Sequence, residues 1–244
     1  MSSNRVIWLS PTDPQQAFPP IETALREPDG LLAAGGDLST ARLLCAYRSG
    51  IFPWSDEGQP ILWWSPDPRC VLKKGDFHVS RSMRRHLRQL TAEVRFNTSF
   101  AAVIRACAAP RIHEKQTWIT ADMITAYERL HSEGWAHSVE IWRDGSLVGG
   151  LYGLAIGRAF FGESMYSAEE NASKIALLTL SRMIDADEFG IFDCQVPSSH
   201  LLSLGATLSP REEFIKILKP LCDPVVRFEN WPSAPISMQD LLQG

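Results

Sequence analysis

The chain has 244 residues, 45% hydrophobic and 21% charged, with a net charge of −4, which suits one large globular domain or a small unit joined to a medium one. It holds no run of about 18 apolar residues, so no membrane span is expected, and only Arg5 precedes a short N-terminal run broken by Pro11, which argues against a secretory signal. The five cysteines (45, 70, 107, 194 and 222) are odd in number and never spaced Cys-x-x-Cys, and the six histidines form no His-Glu-x-x-His pair; this points to a reducing cytoplasm and away from bound zinc.

Residues 1–66 are rich in Pro, Gly and Trp and contain one clear helix. Asp37 or Ser39 can cap it, Leu43, Leu44 and Tyr47 form its apolar face, and Gly50 ends it where a left-handed residue is wanted. Ser65-Pro66-Asp67-Pro68 reads as a hinge, dividing a small N-terminal domain, 1–66, from a larger one, 67–244. Helices are expected at 81–90, 99–109 and 121–133, the last capped by Thr120. A β-meander follows: strand 136–143, a turn at Asp144-Gly145, strand 146–155, a turn near Gly157-Arg158, and strand 159–165. A helix at 172–184, a strand at 190–195 and helices near 198–204 and 210–218 complete the pattern. The fold class is α/β (α+β), with a mainly antiparallel sheet.

Two short stretches carry the chemistry: Phe160-Phe161-Gly162-Glu163-Ser164-Met165 and Asp193-Cys194-Gln195. Each sets a carboxylate in an apolar, strand-like run, where burial costs several kcal/mol unless a resident group or a ligand pairs with it. Strand alternation puts Asp193 and Gln195 on one face and Cys194 on the other. That disfavours a Cys194 nucleophile served by His200 or His137. The plainer readings are a satisfied polar pair at a strand end for Asp193 and Gln195, and a carboxylate accepting backbone N–H groups for Glu163.

Between Arg69 and Arg95 there are eight basic residues and two acids, a local excess of +6. Arg81, Arg84, Arg85 and Arg88 share one helix face, where like charges repel by a few tenths of a kcal/mol per pair. A solvated surface is the ordinary explanation. A phosphate backbone would offset the repulsion. Trp54 in a loop, Trp63 and Trp64 before the hinge, and Trp118 are each ordinary core plugs taken singly, yet two converging rings could hold an unstacked base, worth about 1–3 kcal/mol.

The chain resembles the leucyl/phenylalanyl-tRNA–protein transferases through ordered blocks over most of its length. These include Glu27-Pro28-Asp29-Gly30-Leu31-Leu32, Gly50-Ile51-Phe52-Pro53-Trp54, Trp63-Trp64-Ser65-Pro66-Asp67-Pro68-Arg69, Thr117-Trp118-Ile119-Thr120, Ala136-His137-Ser138-Val139-Glu140, Gly162-Glu163-Ser164-Met165, Asn171-Ala172-Ser173-Lys174 and Asp193-Cys194-Gln195. The resemblance implies a C-terminal domain with the N-acetyltransferase fold. It also implies transfer of Leu or Phe, with Met a further candidate, from aminoacyl-tRNA to proteins beginning with Arg or Lys, marking them for degradation in the cytoplasm. The ester is already activated, so no cofactor, ATP or metal is required, and a neutral amine needs orientation more than a strong base.

By the same resemblance, Gln195 contacts the attacking amine, Asp193 holds and polarises it, and Glu163 meets the cationic acceptor. Trp54 and Trp118 clamp the terminal adenosine; Leu151, Phe160, Met165 and Leu177 form the pocket for the Leu or Phe side chain; Arg81, Arg84, Arg85 and Arg88 hold tRNA phosphates. The chain departs from the family pattern in a longer stretch at 110–116, in Tyr166 and in Phe192. Two rivals remain. An acetyl-CoA N-acetyltransferase would need a Gly-rich pyrophosphate loop where Ser167-Ala168-Glu169-Glu170 stands, and a non-catalytic RNA-binding module would leave Glu163, Asp193 and Gln195 unexplained.

Overall fold

The structure, a computed structural model, describes residues 6–110 and 117–243; most of the longer stretch at 110–116 lies outside the described residues. The N-terminal part opens with β1 (Ile7–Leu9) and β2 (Leu31–Gly35), followed by α1 (Thr40–Arg48), β3 (Phe52–Pro53) and β4 (Leu62–Trp64). The four strands form a sheet in the order β1-β2-β4-β3, which the sequence, with one clear helix in this part, does not signal. Strands of two to five residues interrupted by Pro and Gly are too short for a period-2 signal. Ser39 caps α1 by accepting from Arg42 N, and Gly50 follows at φ +74°, where an added Cβ would lie 2.4 Å from Ile215.

Next come β5 (Arg69–Leu72), α2 (Arg81–Gln89), β6 (Glu93–Phe96), α3 (Phe100–Ala108) and α4 (Ala121–Ser132). The meander is β7 (Ala136–Arg143), β8 (Ser146–Ile156) and β9 (Ala159–Ser167), followed by α5 (Ala172–Asp185) and β10 (Ile191–Gln195). The chain finishes with α6 (Ser199–Ser203), β11 (Thr207–Ser209), α7 (Arg211–Leu221), β12 (Ile236–Ser237) and α8 (Met238–Gln243). The large sheet runs β11-β5-β10-β9-β8-β7-β6-β12. The β10/β9 pair is parallel and the other pairings are antiparallel, so the fold is the mixed α/β arrangement expected, with a small N-terminal sheet beside a mainly antiparallel one.

One core cluster packs Tyr47 and Trp63 of the N-terminal part with Phe100, Tyr127, Phe161 and Phe214; each such buried side chain stabilises the fold by about 1.5–3 kcal/mol. A second cluster on the other side of the large sheet contains Leu87, Leu151, Phe160, Leu177 and Phe192. The segment 65–68 is held at both ends: Ser65 N donates to Gly30 O (2.7 Å), Arg211 Nη1 donates to Ser65 O (2.6 Å), and Arg211 N donates to Asp67 Oδ1 (3.0 Å). The crossing between the two parts of the chain is therefore pinned by hydrogen bonds.

Candidate active site

The parallel ladder between β9 and β10 ends at Phe161↔Asp193, although both strands continue beyond that point. Without rungs to hold them, the strand ends part, and a cleft of about 240 Å³ opens between them. Its walls are Phe52, Pro53, Trp54 and Trp118 from the first half of the chain, Gly162, Glu163, Ser164 and Met165 from β9, and Cys194, Gln195, Val196 and Leu201 from β10 and α6. Larger grooves of 680 and 800 Å³ lie elsewhere. Chemistry selects the smaller one, because it gathers a perturbed carboxylate, an amide and two tryptophans.

Both strands are irregular at the cleft. In β9 the register steps from Gly153↔Gly162 to Tyr152↔Ser164, which leaves Glu163 as an extra residue. In β10 it steps from Asp193↔Val71 to Gln195↔Cys70, which leaves Cys194 as the extra residue, and Gln195 has φ +63°. A bulge re-aims a side chain that regular alternation would send elsewhere. Here it overturns the expectation that Asp193 and Gln195 share a face with Cys194 behind them: Cys194 and Gln195 line the cleft, and Asp193 is fully buried beneath it.

The two carboxylates have different partners. Asp193 is met by a resident cation: Arg69 Nε donates to Oδ1 (2.8 Å) and Nη2 to Oδ2 (2.7 Å), and Gln195 N also donates to Oδ1 (2.9 Å). Among the described residues Glu163 has no cation beside it. Tyr47 and Gln195 Nε2 donate to its Oε1 (both 2.7 Å), and Tyr127 donates to its Oε2 (2.8 Å). Burial raises its carboxyl to about pKa 7, against the three donors that pull it down. Burial and then the charge of Glu163 push the Tyr47 and Tyr127 phenols well up, so both keep their protons.

Tyr47 and Tyr127 also touch through their hydroxyls. Three contacts among two phenols and a carboxyl need three protons, and the phenols supply two. A proton on Glu163, in keeping with its raised pKa, completes the triangle by turning one carboxyl–phenol contact round, so that the carboxyl donates to one phenol and that phenol donates to the other. Gln195 lines the cleft, and among the described residues no donor engages its Oε1.

Cys194 is not poised as a nucleophile despite lining the cleft. Burial, then its neighbour Cys70, drive its thiol well above the ordinary range, and a thiol without thiolate character attacks poorly. His137 is buried against Trp231, its ring centroid 4.5 Å away, with burial pulling it down to about pKa 3.

The other expected site residues divide. Trp54, exposed and held by the bond from Trp64 Nε1 to its carbonyl (2.6 Å), lines the cleft with Trp118 and Met165. Leu151, Phe160 and Leu177 stand behind the wall in the second core cluster, each nearly sealed from solvent. Phe192 stacks on Phe160 at 5.4 Å, and the bare Gly162 is what admits its ring, since an added Cβ would lie 2.6 Å from Phe192 Cζ. Tyr47, Tyr127 and Arg69 went unrecognised as site residues. Arg69 ends one of the blocks that carry the family resemblance and Tyr47 lies on an expected helix, but nothing local marks a polar tip aimed at a strand more than a hundred residues away.

Arg81, Arg84, Arg85 and Arg88 are exposed along α2, and none forms an ion pair with a carboxylate among the described residues. His78 N donates to Leu204 O (2.9 Å), tying the lead-in of α2 to the end of α6, whose Leu201 lines the cleft. The lead-in to the basic helix is therefore tied to an element that lines the cleft. Among the described residues no helix is long and apolar enough to cross a membrane.

Residues 71–219 match the family described as Leucyl/phenylalanyl-tRNA protein transferase, and residues 36–67 match its N-terminal domain. A protein of that name from Hahella chejuensis is 57% identical over 87% of this chain and 89% of its own length. Those from Pseudomonas paraeruginosa and Nitrosospira multiformis are 58% and 54% identical, over 87% and 92% of this chain and 93% and 95% of theirs. The crystal structure of a ribosomal-protein-alanine N-acetyltransferase from Brucella melitensis biovar Abortus 2308 aligns with 45% of this chain and 83% of its own, at 15% identity and TM-score 0.34, too loosely to carry an inference. On its sequence relatives, the chain belongs to the leucyl/phenylalanyl-tRNA–protein transferase family.

Proposed function

We propose that this protein moves Leu or Phe from the 3′ end of a charged tRNA to the α-amine of proteins that begin with Arg or Lys, marking them for degradation. The observation that carries the reading is the hydrogen-bonded Glu163–Gln195 pair at a cleft flanked by Trp54 and Trp118. Trp54 and Trp118 stack the terminal adenosine, Met165 meets the aminoacyl side chain, and Arg81, Arg84, Arg85 and Arg88 hold acceptor-stem phosphates by charge and shape. Leu151, Phe160 and Leu177 form the floor beneath Met165, reached when the aminoacyl side chain presses in.

The acceptor arrives as an ammonium whose pKa is about 7.7–8.0. Ionised Glu163 attracts that charge and accepts a proton from it, for which a carboxyl near pKa 7 is well matched. The freed amine donates an N–H to Gln195 Oε1, which aims the nitrogen lone pair at the ester carbonyl carbon. The C–N bond forms, the bond from that carbon to the ribose oxygen breaks, and the proton lost by the amine passes to the departing ribose hydroxyl. Asp193 serves by holding Gln195 in place, since its own oxygens are occupied and buried.

Transfer of labelled Leu from charged tRNA to a peptide beginning with Arg tests the reading. Label should enter the Arg peptide and not one beginning with Glu, and a folded preparation that transfers none would refute it.

A further inference from the structure

We propose that Arg69 is a positioning residue of the transfer reaction, fixing Gln195 and the Phe52–Trp54 wall relative to one another. The inference rests on the function proposed above and adds a residue to it.

Arg69 is 1% exposed and spends its guanidinium on two parts of the chain at once. Its Nε and Nη2 grip Asp193 in a two-pronged pair, and its Nη1 donates to Gly50 O (3.1 Å). The plane is packed between two rings, with its carbon 4.7 Å from the Phe52 centroid and 4.9 Å from that of Phe214. Each partner leads to the cleft. Asp193 holds Gln195 N, which keeps the left-handed residue of the bulge in place, and the Gln195 side chain then reaches Glu163. Gly50 closes α1, whose Tyr47 donates to Glu163, and Phe52 begins the wall that carries Trp54.

A left-handed backbone at a non-glycine residue persists only when its surroundings over-determine it. At Gln195 the constraint is a carboxylate that is itself clamped. Arg meets this need and Lys does not, because the fork bonds both carboxylate oxygens while the flat face stacks on rings. An ammonium keeps the charge and loses the direction.

The test is the single-turnover rate constant for Leu transfer from pre-bound charged tRNA to an Arg-initiated peptide, measured with enzyme in excess. That constant reports on folded molecules and is not lowered by an inactive fraction. Arg69→Lys should lower it about 10- to 100-fold, and in a Gln195→Ala background the same substitution should change it less than about twofold, because the group being positioned is gone. An unchanged constant, or equal losses in both backgrounds, would overturn the proposal. Should Arg69→Lys not fold, the pair Arg69→Met with Asp193→Leu removes both buried charges together, a replacement that cores tolerate; it should melt near the parent and be slow, and parental speed would overturn the proposal. Failure of the parent protein to transfer at all would instead refute the underlying function.

Discussion

Tyr47 on α1 and Glu163 on β9, 116 residues apart, share a 2.7 Å hydrogen bond that joins the N-terminal part of the chain to the floor of the cleft. With Tyr127 and Gln195 it surrounds a carboxylate with dipoles and, among the described residues, no cation. The site is thereby left short of one positive charge, which is what an incoming ammonium supplies.

That shortage has a cost in stability that depends on pH. Folded Glu163 keeps its proton up to about pH 7, whereas the unfolded side chain releases it near 4.5. Between these values the folded chain binds more protons, so stability falls as pH rises, by ~2 kcal/mol once solvent screening of a partly exposed group is allowed for. Glu163→Gln should remove this slope. Urea midpoints of variant and parent should agree near pH 4.5 and diverge in favour of the variant by pH 8; parallel profiles would contradict the assignment.

Asp193→Ala should act by a different route. It strands Arg69 as a buried, unpaired cation, for which a loss of about 3–5 kcal/mol is expected. Denaturant unfolding measures it. Charged-tRNA binding should persist in the molecules that fold, because Asp193 does not line the cleft.

Replacing Arg84 and Arg88 with Ala should weaken tRNA binding and flatten its salt dependence, reducing the slope of log K against log salt by about 2. Among the described residues neither is committed to an ion pair, so fold stability should change by less than about 0.5 kcal/mol. An unchanged slope would remove the phosphate role from α2.

Cys194→Ser should retain measurable transfer. The thiol is half-buried, beside Cys70, and held protonated, and no step above uses it. Complete loss of transfer by a folded variant would revive a thiol mechanism.

The helices and the meander were legible because their signals are local. Ser39 and Thr120 cap where expected, Gly50 takes the left-handed position, and Asp144-Gly145 turns between β7 and β8. The N-terminal sheet was not, since its strands are too short to alternate. The site was half legible. Glu163 and Gln195 stand out as polar residues in apolar runs, and Trp54 and Trp118 both line the cleft, but bulges at Glu163 and Cys194 interrupt the alternation of both strands, and the one at Cys194 breaks the period-2 pattern expected of 193–195. A bulge depends on the partner strand, which one strand's sequence does not contain. The same holds for Arg69, whose pairing with Asp193 spans 124 residues.

The most direct test of the central claim is the pH dependence of single-turnover Leu transfer for the parent and for Glu163→Gln. The parent rate should climb through about pH 7 as Glu163 ionises, and the variant should be about 10- to 100-fold slower at pH 8, lacking that limb while binding charged tRNA as tightly. Identical profiles for the two proteins would contradict the role given to Glu163 and with it the chemistry assigned to the cleft.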